Sequence, residues 1–79
     1  MSDETITFSL ETDVNLKDIL TSVYDSLVAK DYNAINQIAG YLLSGDPTYI
    51  TTHNNARSII QKVDRYELLK ALIKSYLIN

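Results

Sequence analysis

The stretch from Asn33 to Tyr49 limits the fold most, because it encodes a helix together with both of its ends. Asn33 is a favoured N-cap residue. Its side-chain oxygen can accept from a backbone N–H that has no partner inside the first turn. Ile35, Ile38, Ala39, Leu42 and Leu43 then recur at helical spacing on one face. Gly45 suits the left-handed residue just past a helix end. Asp46 and Pro47 follow, a cap and then the residue whose fixed φ suits a first helical position. Gly40 is the exception. A mid-helix glycine costs about 1 kcal/mol against alanine, so the sequence predicts that another backbone approaches closely at that point.

The flanking segments read as further helices. Leu16, Ile19, Leu20, Val23, Tyr24, Leu27 and Val28 form an apolar stripe, with Lys17, Asp18, Thr21, Ser22, Asp25, Ser26 and Lys30 facing the other way. This predicts a helix from a cap at Asn15, with Asp18 in the capping-box position, to about Lys30 and Asp31. Only about two residues link it to the Asn33 cap, so the two helices must be neighbours. Tyr32 takes the staple position just before that cap. Residues 46–53 predict a connector with one helical turn after Pro47 and with Tyr49 and Ile50 as buried anchors. Asn54 or Asn55 then caps a short helix through Ala56, Ile59, Ile60 and Val63. Asp64, followed by Glu67, caps a last helix whose apolar face is Leu68, Leu69, Leu72, Ile73, Tyr76 and Leu77. Lys74, near its end, suits the helix dipole.

The first fourteen residues differ. Ile6, Phe8 and Leu10 alternate with Thr5, Thr7 and Ser9, which is the period of a strand, yet no partner strand is evident. They predict an arm that is either mobile or laid extended along the domain.

With 79 residues, the chain is one small domain that buries only about 60% of its unfolded surface. It contains no cysteine, hence no disulfide and no thiolate metal site. Dimerisation is the natural source of extra burial. The architecture expected is an all-α bundle of four to five helices over residues 15–79, an extended or disordered acidic arm over residues 1–14, and a homodimer. Net charge is −3, but residues 1–31 carry −5 and residues 32–79 carry +2. Phosphate backbones need clustered Lys and Arg, so no nucleic acid partner is expected. No apolar run approaches the roughly 18 residues of a membrane span, and the start is acidic, unlike a signal peptide. A cytoplasmic protein without membrane insertion is expected.

The run Asn36-Gln37-Ile38-Ala39-Gly40-Tyr41-Leu42-Leu43-Ser44-Gly45-Asp46-Pro47-Thr48-Tyr49-Ile50, followed by Asn54-Asn55-Ala56-Arg57, resembles the signature of the IreB family. The likeness extends to Asp3-Glu4-Thr5 at the start and Tyr76-Leu77 at the end. It implies a cytoplasmic, non-enzymatic, helical homodimer from Gram-positive bacteria and their relatives. Such a protein is a substrate of a membrane Ser/Thr kinase, reversed by a phosphatase, and acts in cell-envelope stress and antibiotic-resistance signalling through an unidentified downstream protein. In that family the modified threonines lie in the arm, one within the Asp-Glu-Thr motif and one three residues earlier. The resemblance therefore points to Thr5, with Ser2 at the earlier position. Thr7 is an additional candidate without that support. Equally, Thr5 can be read as part of a polar alternating edge.

Other residues offer little chemistry. His53 has no nucleophile placed beside it by any motif. Asp46 is accounted for by capping, and a metal site needs three or four converging ligands. Gly40 and Gly45 lack phosphate-loop spacing. No catalytic residue, metal or cofactor is expected. The six tyrosines with one Phe and no Trp suit boundaries that are apolar on one side and wet on the other. They read either as core edge or as a subunit interface using Tyr41, Tyr49 or Tyr76. Arg57, Lys62 and Arg65 form a basic group that is either a solvated face or a dock for an anion, such as a phosphorylated arm or acidic partner. The rival to a phosphorylation-controlled regulator is a small structural adaptor that holds a larger protein without any phosphoswitch.

Overall fold

The computed structural model describes the backbone of residues 2–78 and the side chains of residues 15–78. Among the described residues the chain is all helical: α1 (Ser2–Ala29), α2 (Ala34–Ser44), α3 (Ala56–Gln61) and α4 (Arg65–Leu77), with 3-10 turns at Pro47–Tyr49 and His53–Asn55.

The ends of α2 are those written in its sequence. Asn33 Oδ1 accepts from Asn36 N at 3.1 Å. Gly45 adopts φ 77° and its N–H donates to Tyr41 O at 2.7 Å. Asp64 likewise caps α4, accepting from Tyr66 N at 2.8 Å. Its expected capping-box partner Glu67 faces Lys70 instead, at 3.7 Å. At α3, Asn55 takes the N-cap position without a side-chain bond. Asn54 and Asn55 are used instead for their tolerance of positive φ, 53° and 60°.

The start of α1 departs from expectation. The helix begins at Ser2, so Asn15 lies inside it rather than at its cap, and residues 2–14 continue the helix where the alternation suggested an extended segment. A strand without a partner leaves its N–H and C=O groups unpaired. A helix satisfies them within the segment.

The other end of α1 is a Schellman closure. Tyr32 N donates to Leu27 O at 3.0 Å and Asp31 N to Val28 O at 2.9 Å, with Asp31 at φ 65°. Glycine holds this position without a Cβ penalty. Asp31→Gly is expected to raise stability by about 0.5–1 kcal/mol, read as a higher urea midpoint with an unchanged slope.

The core is built from α1, α2, α3, the connector and Leu68 of α4. Leu27, Ile50, Ile60, Leu68 and Val23 are fully buried, joined by Leu16, Ala34, Ile38, Tyr41 and Ala56. Ser26, read as polar-face from the sequence, is also buried. Its hydroxyl is satisfied by donating to Ser22 O at 2.9 Å. The buried residues of α2 are Ala34, Ile38 and Tyr41; of the expected face Ile35, Ile38, Ala39, Leu42 and Leu43, Ile38 is buried and Leu42 half-buried, while Leu43 is 89% exposed. Tyr41 is 5% exposed within the chain and packs in its core, as the core-edge reading of the tyrosines expects. Of the expected apolar face of α4, only Leu68 is buried.

Candidate functional site

The central run serves first to hold the connector against α2. Gln37 Nε2 donates to Tyr49 O at 2.9 Å. The Tyr49 ring lies over Gly40: a Cβ there would sit 2.6 Å from Cδ1 and 2.8 Å from Cζ. The close approach at Gly40 is therefore an aromatic side chain, not the backbone expected from the sequence. Tyr49 stays 38% exposed, so of the two expected anchors Ile50 alone is buried. Asp46 Oδ1 accepts from Thr48 N at 3.0 Å and from Thr48 Oγ1 at 2.7 Å. These two bonds, in that order, and the more distant Arg57 charge hold its carboxyl below the ordinary carboxylate range, against a small opposing effect of burial. With the folded value lowered, the cap is fully present above the unfolded pKa and is lost as pH falls through the folded one.

The three basic residues do not act as one open cluster. Arg57 Nε donates to Ile50 O at 2.8 Å, which ties α3 to the connector. Arg65 Nη1 donates to Leu42 O at 2.9 Å, and its guanidinium covers Gly45. A cation is thereby placed on the carbonyl end of α2, where the helix dipole favours it. Lys62 is exposed at the end of α3. Two of the three thus have donors committed to main-chain carbonyls. No local sequence signal announced the Arg65–Leu42 bond, because its partners lie 23 residues apart.

A groove of about 810 Å³ opens between α1, α2 and α4. Leu16, Leu20 and Tyr24 form one wall, and Ile35, Ile38 and Leu42 the second. Leu68, Leu72 and Ile78 close the third. Among the described residues, the charged ones lining it are Lys17 and Lys74. Beside it, the outer surface of α4 shows Leu69, Ile73, Tyr76 and Leu77, with Tyr76 89% exposed. These residues belong to the wide apolar face that the sequence pattern marks on the last helix.

Residues 3–78 match the family described as IreB regulatory phosphoprotein. The chain belongs to the IreB family. In this IreB-family chain the signature residues Asn36, Gln37, Gly40, Gly45, Asp46, Pro47, Tyr49, Asn54 and Arg57 are occupied with caps, turns and connector contacts. The expected phosphoacceptors Ser2, Thr5 and Thr7 fall where side chains lie outside the described residues; their backbone belongs to α1. Thr5 and Thr7 are within the matched span and Ser2 precedes it. Among the described residues, no three His, Cys, Asp or Glu side chains converge on one point, and no helix is long and apolar enough to cross a membrane. His53 sits in the second 3-10 turn, its N–H donating to Thr51 Oγ1 at 3.2 Å.

Proposed function

We propose that this chain is a non-enzymatic, cytoplasmic regulator whose state is set by a Ser/Thr kinase and a phosphatase acting on its N-terminal segment. Thr5 is the principal acceptor, Ser2 and Thr7 are secondary, and the output belongs to cell-envelope stress or antibiotic-resistance signalling through a downstream protein partner. The observation that carries this reading is the match to a regulatory phosphoprotein family over residues 3–78, a span that includes Thr5.

The physical chemistry supports such a switch. A phosphate adds roughly −1.5 to −2 charges to a region, residues 1–31, that already carries −5. Thr5 lies in the first turn of α1, where added negative charge is favoured by the helix dipole. Against that stands repulsion from the acids of the same segment. Arg57, Lys62 and Arg65 remain candidate cations for the phosphate, singly rather than as one cluster.

The protein acts as a homodimer. A domain of this size buries little surface by itself, and Leu69, Ile73, Tyr76 and Leu77 stand exposed on α4 next to an apolar groove. Contiguous apolar patches of this kind mark contact surfaces. Sedimentation equilibrium at micromolar concentration is expected to return the dimer mass; a monomer alone would defeat this part of the reading.

The switch is tested by incubating the full chain with a cognate Ser/Thr kinase and measuring intact mass and sites. Phosphate uptake centred on Thr5, and largely lost in Thr5→Ala, is the expected result. No uptake by the intact chain, or equal uptake by Thr5→Ala, overturns it. Binding of a client protein without phosphate uptake would favour the adaptor reading, for which the exposed α4 face is the relevant surface.

A further inference from the structure

We infer that the outer stripe of α4, made of Tyr66, Leu69, Ile73 and Tyr76, packs antiparallel against the same stripe of a second copy, with Tyr66 of one copy meeting Tyr76 of the other. The inference rests on the homodimeric reading above and adds the face and the register through which the two copies meet.

The helix has two apolar sides. Leu68, Ala71, Leu72 and Ile78 turn toward the core and the groove. On the other side Tyr66, Leu69, Ile73, Tyr76 and Leu77 fall within an arc of about 100°, at 3.6 residues per turn. Each of these five is between 43% and 89% exposed. Five large apolar side chains on one stripe of a 13-residue helix form a patch that marks a contact surface. At about 200 Å² for a large side chain, the stripe exposes about 650 Å² per copy. Two copies joined there would bury up to about 1,300 Å², within the roughly 1,200–2,000 Å² of specific interfaces.

Spacing selects the occupant. Tyr66, Leu69, Ile73 and Tyr76 follow one another in steps of three, four and three, the a/d pattern of a helix–helix seam. That pattern reads the same in both directions. A two-fold axis crossing α4 midway between Leu69 and Ile73 therefore lays the stripe on itself. Tyr66 then meets Tyr76 of the second copy and Leu69 meets its Ile73, and the reciprocal pairs complete four apolar layers. A shift of four residues would instead set Tyr76 against Lys70 of the second copy, or Ile73 against its Arg65. The contact is isologous and closes at two copies, and the antiparallel helices oppose their dipoles. The cations that border the stripe are engaged within their own chain. Arg65 Nη1 donates to Leu42 O at 2.9 Å. Lys70 Nζ lies 3.7 Å from Glu67 Oε2 and 5.1 Å from the centre of the Tyr66 ring, which limits like-charge repulsion across the axis.

The chain has no cysteine, so the full-length double variant Tyr66→Cys/Tyr76→Cys carries thiols at these two positions alone. They lie about 15 Å apart along α4, too far to bridge within one chain. Mild oxidation is expected to give a covalent dimer whose peptide map links position 66 to position 76, with at least about tenfold less from Tyr66→Cys alone. Ile73→Asp should weaken the dimer at least about tenfold by sedimentation with unchanged far-UV circular dichroism, and Leu43→Asp should leave it unaltered. Links of 66 to 66 and 76 to 76, no covalent dimer, or an Ile73→Asp dimer as tight as the parent would overturn the inference. A parent that still sediments as a dimer with any of those outcomes removes this interface alone, whereas a parent monomeric at all concentrations removes the homodimer with it. A monomeric parent that pellets with phosphatidylglycerol vesicles, where Ile73→Asp does not, would overturn it by giving the stripe to a lipid surface.

Discussion

Ile50→Ala is expected to lower the unfolding free energy by about 2–5 kcal/mol, the range for emptying a large aliphatic from a packed core. A domain of this length has roughly 4–12 kcal/mol in total, so the variant would lose a large share of its stability. Ile50 lies in the connector, between the two 3-10 turns, where substitutions are ordinarily tolerated. Here its side chain is fully buried with Leu27, Ile60 and Leu68. Its N–H donates to Pro47 O at 3.0 Å, and its carbonyl accepts Arg57 Nε at 2.8 Å. The backbone is therefore pinned on both sides of the residue and cannot collapse readily to fill the cavity. Urea unfolding followed by circular dichroism measures the loss. Leu43→Ala is the control, since its side chain is 89% exposed and its change should stay within about 0.5 kcal/mol. Equal effects at the two positions would show that the connector is not anchored through Ile50.

Gly40→Leu is expected to destabilise, by up to about 2 kcal/mol net. Two opposing effects set that value. Replacing a mid-helix glycine recovers about 0.8–1 kcal/mol of helix propensity, while forcing bulk into an occupied site costs about 1–3 kcal/mol. The second prevails because a Cβ at Gly40 would already lie 2.6 Å from Tyr49 Cδ1. The ring cannot simply move off with its backbone, because Tyr49 O is held by Gln37 Nε2 at 2.9 Å. Combining Gly40→Leu with Tyr49→Ala should recover part of the loss, giving a coupling energy of about 1 kcal/mol or more in a double-mutant cycle. A Gly40→Leu protein more stable than the parent, with no coupling to Tyr49, would mean that the ring does not occupy that space in solution.

What the sequence determined by itself are features closed within a few residues. The caps at Asn33, Gly45, Asp46 and Asp64 appear where the residue types put them, because a cap joins a side chain or a left-handed residue to an N–H or C=O one turn away. Helical class and the IreB family were legible for the same reason: both lie in the order of residues along the chain. The Schellman closure at Asp31 was local too, but passed unread because aspartate stands where glycine is the usual signal.

Tertiary structure decided the rest. Helical periodicity marks Ile35, Tyr41, Leu42 and Leu43 as apolar, but it cannot say that Tyr41 is inside and Leu43 outside. That choice depends on which helix lies opposite, and the neighbours of α2 come from α1 and the connector. The ring over Gly40, the guanidinium on Leu42 O and the fate of the basic residues all join groups from different elements. The groove is likewise a product of packing. Each wall is an ordinary amphipathic stripe, and the way α1, α2 and α4 are set against one another brings the apolar residues of all three to one groove. Burial is a sum over contacts remote in sequence, and a stripe on one helix specifies a face without specifying what covers it.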